Sequence, residues 1–566
     1  MIAMAKHWRT LRNPGGSGFP SRPGYALLVV LIVVAVVSLV AYQFTDAMTS
    51  EYVAAARTTD VVQARLNALS GIHYAAAMLA DPNSTIEDPF DNPNLANVAI
   101  RPTENPRQDA RFALIAVASD GNGGYLTRYG ISDEGGKLNL NALIQLDTSG
   151  QLLHDVLLTL PNMTEEIADA IVDWIDPDDT ERTAGAESPY YLGLEQPYRA
   201  KNGPLNTLDE LLLVRGVTWQ LLYGTDRNRN GIADDSPQGG DVLDRGWADY
   251  LTVYGRELNA DRDGAARIYL GESDDLNTFH QNLTTAIGSE LADYILAYKL
   301  FDVSRVSPSS GTTNRTGSTS NTITGTPEQL SQAVQAALRG RPTNRRRLRS
   351  VLSLVGTQVT LPAASSNTSS PAAAGNSRNT IGGANASGNT PPKIVVPCPL
   401  NDPAVLAERL PELLDRTTGR EDYEMVPRLN ILTAPREALL ALTAMSVSQS
   451  AGRRQRSSSS TPPLTETDVD AIISARESLS PLDPDAQTAA WLVTSAGISP
   501  STFTRLERFI TGRSMIYRVQ SLGYFSQGGP VARIEAVIDT NQGTPRIVHI
   551  RDLTDLDIPR GFQPPR

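Results

Sequence analysis

Tyr25 to Tyr42 reads YALLVVLIVVAVVSLVAY, eighteen residues without a charge. As a helix this run is about 27 Å long, enough to cross the hydrocarbon core of a bilayer. Residues 1–24 hold no acid and carry Lys6, Arg9, Arg12 and Arg22. That basic flank is expected to stay cytoplasmic while the bulk of the chain is exported. A cleaved signal peptide is the simplest account of such a start. Against it stand the length of the apolar run, the lack of an A-x-A-like site closely following it, and a helical pattern that does not stop. QFTDAMTSEYVAAARTTDVVQARLNALSGIHYAAAMLA follows, with Val53, Val61, Leu66, Leu69, Ile72 and Ala76 recurring mostly at three- and four-residue steps. Asp81-Pro82 then ends the pattern, because a residue before proline is pushed out of the helical region. The spacing predicts one helix of about 55 residues, hydrophobic in its first third and amphipathic after it.

The rest of the 566-residue chain is too long for one simple core. Lys+Arg 50 against Asp+Glu 62 leaves a net charge of −12, the wrong sign for a wholesale nucleic-acid binder. A single cysteine, Cys398, excludes an intrachain disulfide and a zinc–cysteine cluster, and five histidines leave little for a His-based metal site. The mean hydropathy of −0.23 excludes a polytopic membrane protein. No G-x-x-x-x-G-K-[ST] phosphate loop, H-E-x-x-H or G-x-S-x-G occurs, so the motifs of an assembly ATPase, a zinc protease and an α/β-hydrolase are missing.

One helical module is written twice. GKLNLNAL (Gly136 to Leu143) corresponds to PRLNILTA (Pro427 to Ala434), each a strand-like piece leading into a helix. TEEIADAIVDW (Thr164 to Trp174) corresponds to TETDVDAIISA (Thr465 to Ala475), where Thr with an acid close behind opens a helix by capping. VRGVT (Val214 to Thr218) and SAGIS (Ser495 to Ser499) each place a Gly turn between two short helices. Such pairs look like helix-hairpin-helix units, which grip DNA backbone in many proteins. Here the first hairpin has Asn162 in place of Gly, with Glu165, Glu166, Asp169, Asp173, Asp176, Asp178 and Asp179 around it to repel phosphate. The second hairpin is replaced by the polar insert SVSQSAGRRQRSSSSTPP. Both are read as packing units.

The long helix resembles that of type IV pilins and pseudopilins. The resemblance implies that a prepilin peptidase cuts after Gly24 and that Tyr25 becomes the N-methylated mature terminus. Most members carry Glu at the fifth mature position; Val29 stands there, within the uncharged ALLVV. That departure resembles the K-type minor pseudopilin of type II secretion (the general secretion pathway protein K family). Further motifs agree: DEGGKLNLN at Asp133 to Asn141, Ala168 to Asp176, NGPLNTLDELLLVRGVT, Asn430 to Leu442, and the alternating SMIYRVQSLGYF and VARIEAVID near the end.

Asp226 to Asp235 reads DRNRNGIADD. Asp226, Asn228, Asn230, Ile232 and Asp234, with Gly231 at the turn, reproduce the early positions of an EF-hand-type loop. Pro237 stands where the bidentate Glu belongs, leaving Asp235 or Asp241 to supply the missing carboxylate. The same residues suit a plain surface turn; the expectation adopted is a calcium ion held by Asp226, Asn228, Asn230, Ile232, Asp234 and Asp235. Asp173, Asp176, Asp178 and Asp179, broken by Pro177, are read as a solvated helix end rather than a catalytic carboxylate pair. The basic run RPTNRRRLR (Arg341 to Arg349) is read as a solvated patch.

The expected fold is α+β: a long N-terminal pilin helix, a pilin-like antiparallel sheet, large helix-hairpin-helix-like insertions and disordered loops. The expected segments are a prepilin leader over 1–24, a transmembrane and amphipathic pilin helix over 25–81, and first pilin-like strands over 82–141. A helical insertion with the calcium loop follows over 142–300, then a largely disordered insert over 301–395. A second helical module spans 396–511 and C-terminal strands span 512–566. The resemblance implies a non-enzymatic minor pseudopilin at the pseudopilus tip, single-pass in the inner membrane with its bulk in the periplasm. It implies as partners the I- and J-type minor pseudopilins, the major pseudopilin and the prepilin peptidase, with no nucleic acid. The alternatives are a DNA-uptake pseudopilin binding through its hairpins and an exported calcium-dependent hydrolase on a signal anchor.

Overall fold

The computed structural model describes residues 23–80, 88–101, 109–119, 125–226, 245–306, 322–340, 346–362, 393–448, 463–480, 483–541 and 543–556. Two compact units divide within the first helix, at Ala64 and Arg65. In the first, the run without charges propagates as helix because nothing in it breaks one, and side chains from Tyr25 to Asp60 are exposed. The helix as a whole spans Pro23–Ala80, 58 residues, and stops where Asp81-Pro82 was expected to stop it.

In the second unit, the last turns of that helix lie on an antiparallel sheet. Among the described residues, Val98–Arg101, Ala110–Ser119, Ile516–Phe525, Ala532–Asp539 and Arg546–Asp552 follow one another across it. Tyr125–Tyr129 also pairs with the second of these strands and Ser132–Asp133 with the third. The C-terminal strand Ile516–Phe525 therefore sits at the centre, beside an early one, in a register that sets Gly523 opposite Phe112. Ala68, Ile72 and Ala75 are fully buried on the helix, the Tyr74 and Phe112 rings lie 5.2 Å apart, and Asn67 Nδ2 donates to the Tyr524 carbonyl at 3.2 Å. Gly71 sits where any side chain would run into Ser521 and Phe112.

The helical modules are inserted between the two halves of this sheet, and their duplication is visible in the topology. In the first, Leu138–Asn139 pairs in parallel with Leu251–Thr252; in the second, Leu429–Asn430 pairs in parallel with Ile510–Thr511. Each module thus leaves and returns at neighbouring points. Thr164 accepts from Ile167 N to open Glu165–Ile175, and Thr465 forms a capping box with Asp468 to open Glu466–Arg476. Gly216 (φ +81°) and Gly497 (φ +73°) take left-handed turns, after which Thr218 and Ser499 cap the next helices. Asn162 itself adopts φ +58°, the conformation that Gly usually supplies. One apolar core runs through both modules, joining Leu152 and Ile171 of the first to Leu439 and Leu442 of the second.

The segment 301–395, expected to be largely disordered, instead contributes ordered structure. Asp302–Arg305, Thr357–Thr360, Lys393–Pro397 and Thr322–Thr324 form a four-stranded sheet. Pro327–Arg339 is a helix. The reason is local: Thr326 and Gln329 make a capping box, Pro327 occupies the first turn, and Leu330 and Val334 are buried one turn apart. Most of the Ser/Thr/Asn/Gly-rich stretches about 304–326 and 362–392 lies outside the described residues.

Candidate functional site

Of the residues expected to bind calcium, Asp226 closes a described segment, while Asn228, Asn230, Ile232, Asp234 and Asp235 lie outside the described residues. At the processing site, Gly24 falls in the first turn of the long helix and Tyr25 is 65% exposed. A different acidic group is built where a solvated helix end was expected: Asp178 and Asp179 are exposed as that reading had them, but Asp173 and Asp176 are buried, as is Asp169 one turn earlier.

The cause is the loop that follows. Glu165–Ile175 places Asp169 and Asp173 one turn apart on the same face, with Asp176 at the C-cap. Pro177 turns the chain, Asp178 Oδ1 accepts from Thr180 N at 2.8 Å, and the backbone returns along the helix. Arg182 donates its Nε to Asp169 Oδ1 at 2.9 Å and its backbone N–H to the Asp173 carboxylate, and Ala184 N donates to Asp169 Oδ2 at 3.1 Å. Gly185 passes so close to the Asp173 carboxylate that a side chain there would collide with it. Glu187 then caps the backbone of Ser188–Leu192 with its side chain turned inward, only 2% of the residue exposed. Below it the Trp174 and Tyr191 rings meet edge-on at 5.1 Å.

The carboxylates of Asp176, Asp178 and Glu187 offer oxygens within 4.8 Å of one another. Asp176 Oδ1 and both Glu187 oxygens are buried without a hydrogen-bond partner among the described residues. Asn202, held at φ +47° with its Nδ2 on the Asp178 carbonyl and Asp179 Oδ1, adds a further buried and unpartnered oxygen. Burial pushes the Asp173 carboxyl up to about 6, with the neighbouring Asp169 adding to it. Burial likewise lifts Asp176 to about 6, with Asp178 and Asp173 adding to it. Burial and the charges of Asp173 and Asp176 raise Glu187 to about 7. Uncompensated carboxylates packed this way are unfavourable, and a divalent cation held by Asp176, Asp178 and Glu187 would relieve the cost at Asp176 and Glu187. An all-oxygen set without His or Cys suits calcium, magnesium or manganese. Asp176 and Asp178 were visible in the sequence as a D-x-D pair; Glu187, eleven residues on, comes near only through the loop.

A family model described as "Type II secretion system (T2SS), protein K" matches residues 136–223, the stretch that contains this cluster. Three relatives are each named type II secretion system protein K. The one from Klebsiella pneumoniae is 30% identical over 205 residues, 34% of this chain and 58% of its own length. That from Aeromonas hydrophila is 30% identical over 216 residues, 35% of this chain and 60% of its length. That from Pseudomonas aeruginosa is 32% identical over 206 residues, covering 34% and 57%. The chain thus spans about three fifths of the length of the curated relatives it matches. A solved GspK-GspI-GspJ complex from the enterotoxigenic Escherichia coli type 2 secretion system aligns over 90% of this chain and 99% of that one. Its TM-score of 0.31 at 11% identity is too loose to bear on the fold. On the sequence match, the chain is similar to type II secretion system protein K, most directly over residues 136–223.

Proposed function

We propose that the protein is a minor pseudopilin of a type II secretion system, sited at the pseudopilus tip and acting by assembly rather than by bond chemistry on a substrate. The observation that carries this is the 58-residue helix, uncharged and exposed over Tyr25 to Tyr42 and packed on an antiparallel sheet from Ala68 onward. An exposed apolar face of that length needs either lipid or neighbouring helices. A filament core of such helices supplies the second when a subunit leaves the membrane. Val29, in the position where most members carry Glu, fits a subunit with nothing packed above it. The I- and J-type minor pseudopilins are its partners at that end, with the major pseudopilin below. Before assembly it sits single-pass in the inner membrane, its bulk in the periplasm.

Cleavage after Gly24 and methylation of Tyr25 follow from the same reading. Mass spectrometry of the mature amino terminus tests it: a methylated Tyr25 is expected, and an intact Met1 or a cut after residue 42 overturns it. Two calcium sites stand as proposals. The cluster of Asp176, Asp178 and Glu187, supported by its orphaned oxygens, is preferred to the loop Asp226 to Asp235. In either place the cation would pin a periplasmic loop to the head.

A further inference from the structure

Arg349 is the last residue of the basic run that began at Arg341, and the run's charges are not all met. Arg347 forks onto Glu272 at 2.6 and 2.8 Å, and Arg346 reaches Asp302 at 3.9 Å. Arg349 stays exposed between the buried Leu348 and Ser350. Two further segments meet it there. Gly419 lies so close to the Arg349 carbonyl that a side chain would collide with it, which brings Arg420 alongside. The helix Pro500–Leu506 packs on the turn Val351–Leu354, and the Ser350 hydroxyl lies beside the Glu507 carboxyl group, which brings Arg508 alongside. Among the described residues, none of Arg349, Arg420 and Arg508 has a carboxylate within 4.0 Å. Arg508 Nε is buried without a hydrogen-bond partner, and its guanidinium lies 4.3 Å from the centre of the Phe509 ring.

The acids nearest these cations are committed elsewhere. Glu257 is held by Arg428 at 3.0 Å, and Asp147 accepts from Ser149 N, Ser149 Oγ and Leu152 N. Burial raises the Glu507 carboxyl toward its neutral form, and Asp422, two residues from Arg420, is exposed to water. Burial lowers Arg508 and the charge of Arg420 adds to it, while burial lowers Arg420 and Arg428 adds to it. Guanidinium groups side by side repel one another, and an anion between them removes that repulsion. Their forks match phosphate oxygens through paired hydrogen bonds. A phosphate also carries up to two charges and oxygens enough for three donors, where a carboxylate has one charge and two oxygens. We propose that Arg349, Arg420 and Arg508 form a binding site for a phosphate-type oxyanion, supplied as free phosphate or as the phosphate of a lipid headgroup. The site is separate from the acidic cluster and does not depend on which cation, if any, occupies that cluster.

The test is the melting temperature of the full chain in nonionic detergent, free of divalent cations, as inorganic phosphate is added. Potassium chloride of equal ionic strength is the control. A rise with phosphate beyond that in chloride is expected, because a ligand that binds only the folded chain stabilises it. Arg349→Gln and Arg508→Gln should each weaken the apparent affinity by about tenfold, since a hydrogen bond to a charged group contributes that much or more. Arg349 is exposed, so Arg349→Gln should melt with the parent chain in chloride. If Arg508→Gln melts early in chloride, Arg349→Gln decides alone. Dihexanoyl-phosphatidylglycerol, with dihexanoyl-phosphatidylcholine as the control for its acyl chains, separates the two sources. A larger rise with the glycerol lipid than with phosphate at the same concentration assigns the site to a headgroup, and the reverse order assigns it to the free anion. A rise that chloride reproduces overturns the proposal, as does full affinity in Arg349→Gln.

Discussion

A buried carboxylate with no partner destabilises the fold that buries it, and Glu187 brings two such oxygens on one side chain. If a cation satisfies them, its removal should be felt as lost stability. Calcium at about 100 times its dissociation constant adds about 2.7 kcal/mol, a clear rise in the melting temperature of the full chain in detergent. Glu187→Gln and Asp176→Asn should abolish most of that rise, while Asp234→Asn leaves it intact. The reverse pattern would return the site to the Asp226 to Asp235 loop. The sequence pointed to that loop because its ligand residues fall on alternate positions from Asp226 to Asp234. It undervalued Asp176 because a run of acids beside Pro177 looks exposed until Arg182 and Gly185 fold back over Asp169 and Asp173. Burial of this kind is decided by residues that no local pattern contains.

Among the elements, the legible ones were those whose signal is local. The long helix announces itself by eighteen uncharged residues and a proline stop, and both module helices by Thr caps. The helix Pro327–Arg339 had equally plain signals, in Thr326, Pro327 and Gln329. They were lost in the average composition of the polar stretches around them. The two glycine turns give a sharper test of the duplication. Each holds a left-handed residue, so alanine at either should cost about 1 kcal/mol or somewhat more in strain. At Gly497 an added Cβ meets nothing within 4 Å, whereas at Gly216 it lies 2.9 Å from Ile167 Cγ1. Gly216→Ala should therefore lower the urea midpoint more than Gly497→Ala. Equal losses would show that Ile167 gives way freely.

At the scale of the whole molecule, one buried ion pair ties the sheet to the helical insertion. Arg518 on the central strand donates to both Glu134 oxygens, at 2.7 and 2.6 Å, and to Glu535 at 2.7 Å, while Thr252 from the first module donates to Glu134. Burial alone would raise the Glu134 carboxyl, but Arg518, then Lys137, hold it down to about 2. Because the folded value lies below the ordinary 4.5, the contribution is complete above that pH and is lost as pH falls toward 2. Acid unfolding followed by circular dichroism should show this loss as a steep fall in stability below pH 4.5. Glu134→Gln should flatten that fall and cost up to about 3 kcal/mol at neutral pH by leaving Arg518 with Glu535 as its one carboxylate partner. The strands on either side of this pair could be read from their alternation. The two-residue ladders that close the modules could not, since two residues carry no periodicity. Yet those ladders have a consequence for how much the chain can change. Because Leu138–Asn139 meets Leu251–Thr252 and Leu429–Asn430 meets Ile510–Thr511, the sheet sees each module as a pair of adjacent stumps. The chain between the stumps can lengthen, shorten or acquire new loops without moving a strand. The head is in that respect a socket, and its helical content an interchangeable fitting.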